Sequence, residues 1–323
     1  MFSPSNIGVR APEFPKGLPW LNGKSISMSA LRGKVTLIDF WTYSCVNCLR
    51  TLPHLKEWHK RYAAQGLVVI GVHTPEFAFE KDAANVKAAI KEHKLMYPVV
   101  LDSSYAIWNL YANHWWPRKI LIDHKGMIVY DHVGEGEYAQ TERAIQAALR
   151  RIGAKRLPKI ERDDHVGGGV CHPTTPEAYL GALRGRFANA MIERGHIVNY
   201  RRPTMAGDRP ALQGAWKVEG EYAQSHGGKL LMPYMAGEVN LVMALSPDAR
   251  VKKTVEVRRD GKAMVRAEAG DDISFAKKAS VVTVDHPRMY RLVFSKQHHG
   301  GLLELEVPSG VRVFAFTFGG ACA

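Results

Sequence analysis

The stretch VTLIDFWTYSCVNCLRTLP, residues 35–53, contains the pattern that decides the fold of the first half of the chain. It opens on a nearly continuous apolar run with β-branched members, which is typical of a strand covered on both faces. Leucines and aromatic residues then recur every three or four positions, which predicts a helix over 46–65. Pro53 is expected to kink that helix. Cys45 and Cys48 therefore fall where a buried strand gives way to a helix.

The segments that follow alternate between strand and helix patterns. The predicted elements are a strand at 67–73, a helix at 79–95, a hairpin around a His-Lys-Gly turn at 118–134, and a helix at 138–153, with a short apolar run at 97–102. This alternation predicts an α/β domain over residues 1–153, with a central mixed sheet and helices on both faces.

The residue composition of the sequence changes after Gly153. Residues 154–175 combine proline, charge and a glycine triplet, which is typical of a linker. A lead-in that is irregular or partly helical is expected from residue 176, with the possible helix at 176–193. Beyond it, short alternating runs separated by turn residues such as Asp260-Gly261 predict roughly seven strands. Residues 176–323 are therefore predicted to form an all-β sandwich domain.

Composition narrows the functional classes. At 323 residues and 46% hydrophobic, the chain can bury a full core and has the length of about two domains. Its formal net charge is +13, but basic residues outnumber acidic ones on both sides of residue 152 and form no block. This spread predicts a basic surface and no nucleic-acid partner. No segment approaches the roughly 20 apolar residues of a membrane span, so the chain as given is expected to be soluble.

The C-x-x-C of Cys45 and Cys48 is expected to be a redox dithiol. At a helix N-terminus the unpaired N–H groups favour a thiolate, so Cys45 is the predicted nucleophile. Cys48 is placed to resolve the mixed disulfide that Cys45 forms with a substrate. Asp39 lies in the apolar strand, where it either relays a proton for Cys48 or is hydrogen-bonded in the core. Glu76, after the second strand, is a weaker candidate for a site carboxylate.

Two other chemistries fit part of this pattern. A structural zinc site needs four ligands, but the remaining cysteines, Cys171 and Cys322, supply no second C-x-x-C. A thiol-dependent peroxidase fits the T-x-x-C of Thr42 to Cys45, although Ile38 stands where its motif requires a proline. Cys171 and Cys322 either pair with each other in an oxidising compartment or remain unrelated.

The same residues resemble the thioredoxin superfamily. IDFWTYSCVNC, the helical Pro53, and NHWWP before RKILIDHKG resemble its buried Asp, its W-x-x-x-C-x-x-C, its helix-kinking Pro and its cis-Pro. GKVTLIDFWTYSCVNC is similar to the redoxin branch that contains TlpA-like proteins. WTYSCVNCLRTLPHL, YANHWWP and HVGEGEY resemble the soluble C-terminal region of DipZ-type thiol-disulfide interchange proteins. In that family a redoxin domain precedes a sandwich of jelly-roll type that resembles a carbohydrate-binding module.

The resemblance implies a thiol-disulfide oxidoreductase that reduces protein disulfides outside the cytoplasm. It implies the catalytic residues Asp39, Cys45, Cys48 and Pro117, with a cis peptide bond after Trp116. Trp116 replaces the small or β-branched residue common in thioredoxins and is expected to line the site. No organic cofactor or metal is required. The implied partners are protein dithiols and disulfides and a membrane electron donor of the DipZ/CcdA kind; the implied setting is periplasmic or cell-surface, in the soluble part of a membrane-anchored protein.

The second domain offers a different class of function. Trp216, Tyr222 and Tyr234 are candidates for an aromatic platform that binds a carbohydrate ligand, which would make the chain a carbohydrate-binding protein with an accessory redox domain. Aromatic residues at strand spacing also fit a core, and a docking or scaffolding role is the alternative. His298 and His299 precede two glycines and are predicted to lie in an exposed turn.

Overall fold

The computed structural model describes residues 7–160, 173–205 and 207–320. The chain forms two compact units, Met1–Gly167 and Gly168–Ala323, called here the N-terminal and C-terminal units. Much of the predicted linker lies outside the described residues, as do Cys171 and Cys322, so the linker limits and the pairing of these cysteines stay predictions. No helix in the described ranges is both long and apolar enough to cross a membrane.

The N-terminal unit contains a mixed sheet of six strands. Its elements are β1 Trp20–Asn22, β2 Val35–Trp41, α1 Val46–Tyr62, β3 Leu67–His73, α2 Ala83–Glu92, β4 Val99–Leu101, α3 Ala106–Leu110, β5 Arg118–Ile122, β6 Ile128–Val133 and α4 Tyr138–Arg151. The strand order is β1-β4-β3-β2-β5-β6. Strands β2, β3 and β4 are parallel to one another, whereas β1, β5 and β6 run antiparallel to their neighbours.

Helices cover both faces of this sheet, as predicted. Alternate residues of β2 point to opposite faces, so its two sets of side chains join different clusters. Leu37 and Trp41 pack in one cluster with α1, α2 and α4. Ile38 and Phe40 pack in another with α3 and the segment before β2. Every residue of β2 is buried, including Asp39.

Local differences from the prediction have local causes. The limits of β2 and β3 are those predicted, and α1 continues through Pro53. The second helix begins later than predicted, because Ala78–Lys81 form a 3₁₀ turn and Asp82 caps α2 by accepting the Ala84 N–H at 2.8 Å. The sequence pattern misses β1 and α3, which are only three and five residues long.

The C-terminal unit is all-β in its described residues, with one antiparallel sheet of ten strands. Its strands are β7 Ala178–Tyr179, β8 Ile197–Tyr200, β9 Ala211–Val218, β10 Ala223–Leu245, β11 Lys253–Arg259, β12 Lys262–Ala263, β13 Ile273–Ala276, β14 Ala279–Val284, β15 Arg288–Val307 and β16 Val311–Gly319. The long strands β10 and β15 pair with each other through a register shift. Asp260 and Gly261 both have positive φ in the predicted hairpin turn between β11 and β12.

Two predictions for this unit are wrong. The possible helix at 176–193 is absent: the segment contains β7 and turns, and a Cβ on Gly181 would lie 2.2 Å from the Glu221 carbonyl carbon. His298 and His299 do not form a turn, because β15 runs straight through them and the following glycines while pairing with β10. A Cβ on Gly300 would meet the Met235 side chain at 2.9 Å, so this glycine permits a close approach inside a strand.

Candidate active site

The candidate site lies at one edge of the N-terminal sheet, where β2 and β3 both end. These strands are parallel, and their last residues, Trp41 and His73, are paired. Strand β5 runs the opposite way and begins beside this edge, because Arg118 pairs with Phe40. Pro117 therefore lies next to the end of β2. The carboxyl ends of the parallel strands are thus where the sequence-predicted residues meet.

Cys45 is the N-cap residue of α1, and its side chain is partly exposed. Its backbone N–H donates to the Thr42 carbonyl at 3.4 Å, which closes the turn between β2 and α1. Its Sγ accepts a hydrogen bond from the Cys48 backbone N–H at 3.4 Å. N–H groups in the first turn of a helix are suited to hold a negatively charged sulfur at this position. Cys45 is therefore the sulfur that a substrate can reach.

Cys48 lies one turn further along α1 and is only 1% exposed. Burial raises the pKa of its thiol well above the usual range, and the adjacent sulfur of Cys45 adds to the rise. A thiol in this position stays protonated near neutral pH, so it needs a base before it can attack a disulfide. The two sulfurs of the dithiol are thus unequal in access and in acidity.

Asp39 lies on the face of the sheet that packs against α1, together with Leu37 and Trp41. It is 1% exposed; burial raises the pKa of its carboxyl to about 7, while the charge of Lys119 acts in the opposite direction. Its Oδ1 has no hydrogen-bond partner among the described residues, unlike a carboxylate held in place for structural reasons. The charge of Asp39 also contributes to the raised pKa of Cys48, so these two groups are electrostatically linked.

Lys119 is a site residue that sequence reasoning misses. It pairs directly with Asp39 across β5 and β2, so both side chains lie on the same face. Its Nζ is buried, donates to the Gly134 carbonyl at 3.0 Å and lies 5.8 Å from the centre of the Tyr138 ring. Burial lowers the pKa of this ammonium, and the charge of Asp39 acts against that change. The sequence feature that could have identified it is the Arg118-Lys119 pair at the start of an apolar strand.

Trp116 and Pro117 border the same edge. The peptide bond between them is cis, as the resemblance implies. The Trp116 indole N–H donates to the Thr74 carbonyl at 3.0 Å, and its ring centroid lies 4.3 Å from that of Trp108. Trp115 and Trp116 are both half-buried. Trp116 is therefore anchored to the end of β3 and to α3 rather than projecting freely.

A second group of buried polar side chains surrounds the turn that leads into α1. His73 is fully buried, and its Nε2 lies 3.4 Å from Thr42 Oγ1. Burial lowers the pKa of this imidazole to about 3, so the ring is neutral. The Tyr43 ring stacks on it with centroids 5.6 Å apart. Glu80 is also fully buried, and it accepts a hydrogen bond from the Ser44 hydroxyl at 2.7 Å.

Glu80 is the carboxylate that reaches this turn from the loop after β3. Glu76, the candidate from the sequence, donates its backbone N–H to Glu80 at 2.6 Å. Burial raises the pKa of the Glu80 carboxyl to about 7, although the Ser44 hydroxyl acts against the rise. The sequence does not predict burial of Glu80, because the charged residues of the helix predicted at 79–95 are expected to face solvent. The position of His73 beside the site could be predicted from the sequence, because it is the last residue of a predicted strand and neighbouring parallel strands end at the same edge of a sheet.

These side chains together provide a partly exposed sulfur, a buried thiol and a buried carboxyl. This set fits exchange between thiols and disulfides. In the three described ranges, no group of three or more His, Cys, Asp or Glu side chains is arranged to hold a metal ion.

The aromatic candidates of the C-terminal unit do not form a platform. Trp216 is fully buried and Tyr234 is 5% exposed, and both belong to the core of that unit. Tyr222 is partly exposed, but the Arg312 guanidinium lies 4.5 Å from its ring centre and the Phe314 ring 5.3 Å away. Of the two alternatives for these residues, the core is confirmed for Trp216 and Tyr234, whereas Tyr222 is partly exposed.

Known proteins resemble both units. A redoxin family model matches residues 6–149, and a model described as a thioredoxin like C-terminal domain matches residues 175–319. Protein DipZ of Mycobacterium bovis is 34% identical over 321 residues, which is 96% of this chain and 43% of DipZ. Thiol-disulfide oxidoreductase ResA of Bacillus cereus is 30% identical over 146 residues, which is 45% of this chain and 78% of ResA. A crystal structure of a thiol:disulfide interchange protein from Chlorobium tepidum has 26% identity and a TM-score of 0.38, and the match covers 43% of this chain and 95% of that one.

The fold, the dithiol and these relatives agree on the class: the chain belongs to the thioredoxin superfamily, as a TlpA- and DipZ-like member. The redoxin match includes both cysteines of the dithiol, and relatives named thiol-disulfide oxidoreductases match over 138 and 146 residues. These relatives are named for thiol-disulfide exchange, the chemistry that the dithiol of this chain fits. The chain spans 43% of the length of the DipZ relatives that it matches.

Proposed function

We propose that this protein reduces disulfides in protein substrates. The observation that carries the proposal is the asymmetry of the dithiol: Cys45 is partly exposed at the start of α1, whereas Cys48 is 1% exposed and is linked electrostatically to the buried Asp39. A substrate reaches only the first sulfur, and a buried base serves only the second. This division suits a two-step exchange.

The proposed reaction begins with attack of the Cys45 thiolate on a substrate disulfide. The substrate S–S bond breaks, a Cys45–substrate disulfide forms, and the first substrate sulfur leaves as a thiolate that takes a proton from water. Asp39 then removes the proton of Cys48, and the Cys48 sulfur attacks that of Cys45. A Cys45–Cys48 disulfide forms, the Cys45–substrate disulfide breaks, and the second substrate sulfur leaves as a thiolate that takes the proton held by Asp39. The substrate gains two electrons and the dithiol loses two.

The surroundings of the dithiol support these roles. A carboxyl with a pKa of about 7 can both take and return a proton near neutral pH, as the proposed role of Asp39 requires. Pro117 and Trp116 are proposed to border the groove that holds the substrate segment, because they lie beside the end of β2. An extended peptide in such a groove pairs with the backbone at a strand edge.

Trapping the mixed disulfide tests the proposal. The Cys48→Ser variant of the full chain is expected to hold a Cys45–substrate disulfide that mass spectrometry detects after incubation with an oxidised protein such as insulin. Cys45→Ser is the matched control and should trap nothing. A Cys48→Ser variant that forms no adduct would contradict the proposal, and turnover with hydrogen peroxide but not with disulfides would favour the peroxidase alternative.

The electron donor and the cellular setting extend the proposal. Similarity to DipZ over 96% of this chain supports a membrane donor of the DipZ/CcdA kind and a location outside the cytoplasm, in the periplasm or at the cell surface. A membrane-impermeant maleimide added to intact cells is expected to label Cys45. Labelling that appears only after lysis would contradict the location.

For the C-terminal unit we propose a sandwich of jelly-roll type that serves docking or scaffolding. The support is the path of β10, whose first part pairs with β9 and whose last part pairs with β16, around a single hydrophobic cluster. The burial of Trp216 and Tyr234 does not favour a carbohydrate ligand. Specific retention of the full chain on a glycan array would overturn this assignment.

A further inference from the structure

The carboxylate of Glu80 joins two turns at the active-site edge. Its Oε1 accepts hydrogen bonds from the hydroxyl and the backbone N–H of Ser44, at 2.7 and 3.3 Å. Its Oε2 accepts from the backbone N–H groups of Glu76 and Phe77, at 2.6 and 3.0 Å. One side chain thus connects the turn after β2 to the turn after β3.

Hydrogen-bond donors, rather than a cation, compensate the charge of Glu80. The side chain is fully buried, and none of the ion pairs among the described residues involves it. Burial raises the pKa of its carboxyl to about 7 in spite of these donors. A buried carboxylate without a cation reduces stability, so its presence points to a role beyond packing.

Glu142 shows how the same unit buries a carboxylate for stability alone. It is 5% exposed, forms an ion pair with Arg61 at 2.7 Å and accepts a hydrogen bond from the Tyr62 hydroxyl. Both partners lie at the C-terminal end of α1, whereas Cys45 caps its N-terminal end. Glu142 is therefore a buried carboxylate of the same unit at the far end of that helix.

The contact with Ser44 is important because Ser44 immediately precedes the nucleophile. The turn that presents Cys45 has one backbone hydrogen bond of its own, from the Cys45 N–H to the Thr42 carbonyl at 3.4 Å. The bonds from Ser44 to Glu80 tie this turn to the loop after β3, in addition to the contacts of Thr42 and Tyr43 with His73. Small displacements of a reacting atom lower rates steeply, by as much as about a hundredfold for 1 Å.

We propose that Glu80 is a positioning residue for the nucleophile: by holding Ser44 it fixes the turn that presents the Cys45 sulfur at the N-terminus of α1. This inference rests on the dithiol exchange proposed above. It assigns Glu80 no proton transfer and no contact with the substrate.

Two substitutions separate holding the turn from carrying charge. In Glu80→Gln, the amide oxygen still accepts from Glu76 and Phe77, and the amide nitrogen donates to the Ser44 hydroxyl, which can rotate to accept; only the longer 3.3 Å bond from the Ser44 backbone N–H loses its acceptor. The bridge between the turns is then kept without a charge. Glu80→Ala removes every one of these hydrogen bonds. A positioning role therefore predicts that glutamine rescues what alanine loses.

The experiment is the rate of Cys45 alkylation by iodoacetamide in the full chain, with Cys48→Ser in every variant so that one site thiol reacts. Glu80→Ala is expected to slow alkylation about tenfold, and Glu80→Gln to restore it to within about threefold of the parent. Glu142→Ala is the matched control: it loses stability but keeps the parental rate. Ser44→Ala, which removes only the hydroxyl, is expected to slow alkylation by about threefold and serves if Glu80→Ala does not fold.

A parental rate in Glu80→Ala, or in Ser44→Ala where it has to replace that variant, would overturn the inference. So would a Glu80→Gln variant as slow as Glu80→Ala, because the charge rather than the bridge would then be responsible. Disulfide turnover by the unsubstituted protein is measured separately. Its absence would defeat the proposed function, whereas turnover together with unchanged alkylation in Glu80→Ala would defeat this inference alone.

Discussion

The two units differ in the side chains that they bury. The buried Asp, Glu, His, Arg and Lys residues of the N-terminal unit, within its described range, are Asp39, His73, Glu80, Asp102, Arg118, Lys119, Asp123 and Glu142. The buried polar residues of the C-terminal unit, within its described ranges, are Thr175, Ser225, Asn240, Ser246, Ser280 and Thr317. One core thus contains many acidic and basic side chains, and the other contains none of these types among the residues described.

The charges of the N-terminal unit fall into two kinds. Some form ion pairs: Arg118 pairs with Asp131 at 2.6 Å, and Glu142 pairs with Arg61 at 2.7 Å. Within the described residues Asp39, Glu80 and Asp102 form no ion pair, and all three lie near the edge where the dithiol is found. Since buried carboxylates without a cation reduce stability, the contrast supports placing the proposed chemistry in this unit and at this edge.

The largest effect we expect is on stability in the unit without buried charges. Trp216 is fully buried and its indole N–H donates to the Gln213 carbonyl at 3.0 Å. Trp216→Ala is expected to lower the unfolding free energy of the C-terminal unit by about 4 kcal/mol. Calorimetry of the full chain measures this loss. The disulfide exchange rate, assayed below the shifted transition, should stay unchanged, and a parallel loss of exchange would show that the chemistry is not confined to the N-terminal unit.

A slightly smaller effect with a defined pH dependence is expected at Asp39. The pKa of its carboxyl is about 7 in the folded unit, against 3.8 for the free group, so the folded state binds the proton more tightly. The stability that this provides is complete below about pH 4 and is lost as the pH rises to 7. Asp39→Asn should therefore raise the unfolding free energy at pH 8 by up to about 4 kcal/mol and change it little at pH 4.

Denaturant titrations at the two pH values measure this difference. Asp131→Asn is the matched control, because it breaks the ion pair with Arg118 and should lower stability at pH 8. An Asp39→Asn variant that is no more stable at pH 8 than the parent would show that burial of this carboxylate is not costly.

Next in size is the effect of the same substitution on the second step of exchange. With 5,5′-dithiobis(2-nitrobenzoate), attack by Cys45 releases one thionitrobenzoate and attack by Cys48 releases another. Asp39→Asn should slow the second phase at pH 7 by about a hundredfold, because the buried Cys48 loses its base. The first phase should be nearly unaffected. Equal slowing of both phases would assign Asp39 a structural role instead.

The smallest expected effect concerns the same second step of exchange. Lys119 lies opposite Asp39, and its charge lowers the pKa of that carboxyl. Lys119→Met should therefore move the pH midpoint of the second phase upward by about one unit. The double variant Asp39→Asn/Lys119→Met should lack that midpoint altogether. If Lys119→Met leaves the midpoint in place, the pairing across β2 and β5 has no part in the chemistry.

The sequence predicts the N-terminal fold well because its signals are local. The limits of β2 and β3 follow from continuous apolar runs, and α1 follows from helical spacing. In the C-terminal unit, Pro233 and Gly300 resemble turn residues but lie inside β10 and β15. Their neighbours across the sheet, rather than the local sequence, determine that path.

The candidate site residues also differ in whether the local sequence or only the packing reveals them. Cys45, Cys48 and Asp39 are identifiable because each departs from a pattern along the chain, either as a motif or as a charge in an apolar strand. Lys119 and Glu80 acquire their importance only through packing, one across β2 and β5 and the other between two loops. Residues of this second kind become evident once the strands are assembled.

The reduction potential of the dithiol decides whether the protein reduces disulfides or donates them. The full chain is equilibrated in dithiothreitol or glutathione buffers, and the thiols of Cys45 and Cys48 are counted by alkylation and peptide mass spectrometry. We expect one reversible two-electron couple at about −270 mV that disappears in Cys45→Ser and in Cys48→Ser. A couple at about −120 mV would contradict the reductase, and no reversible couple at these two residues would contradict dithiol exchange itself.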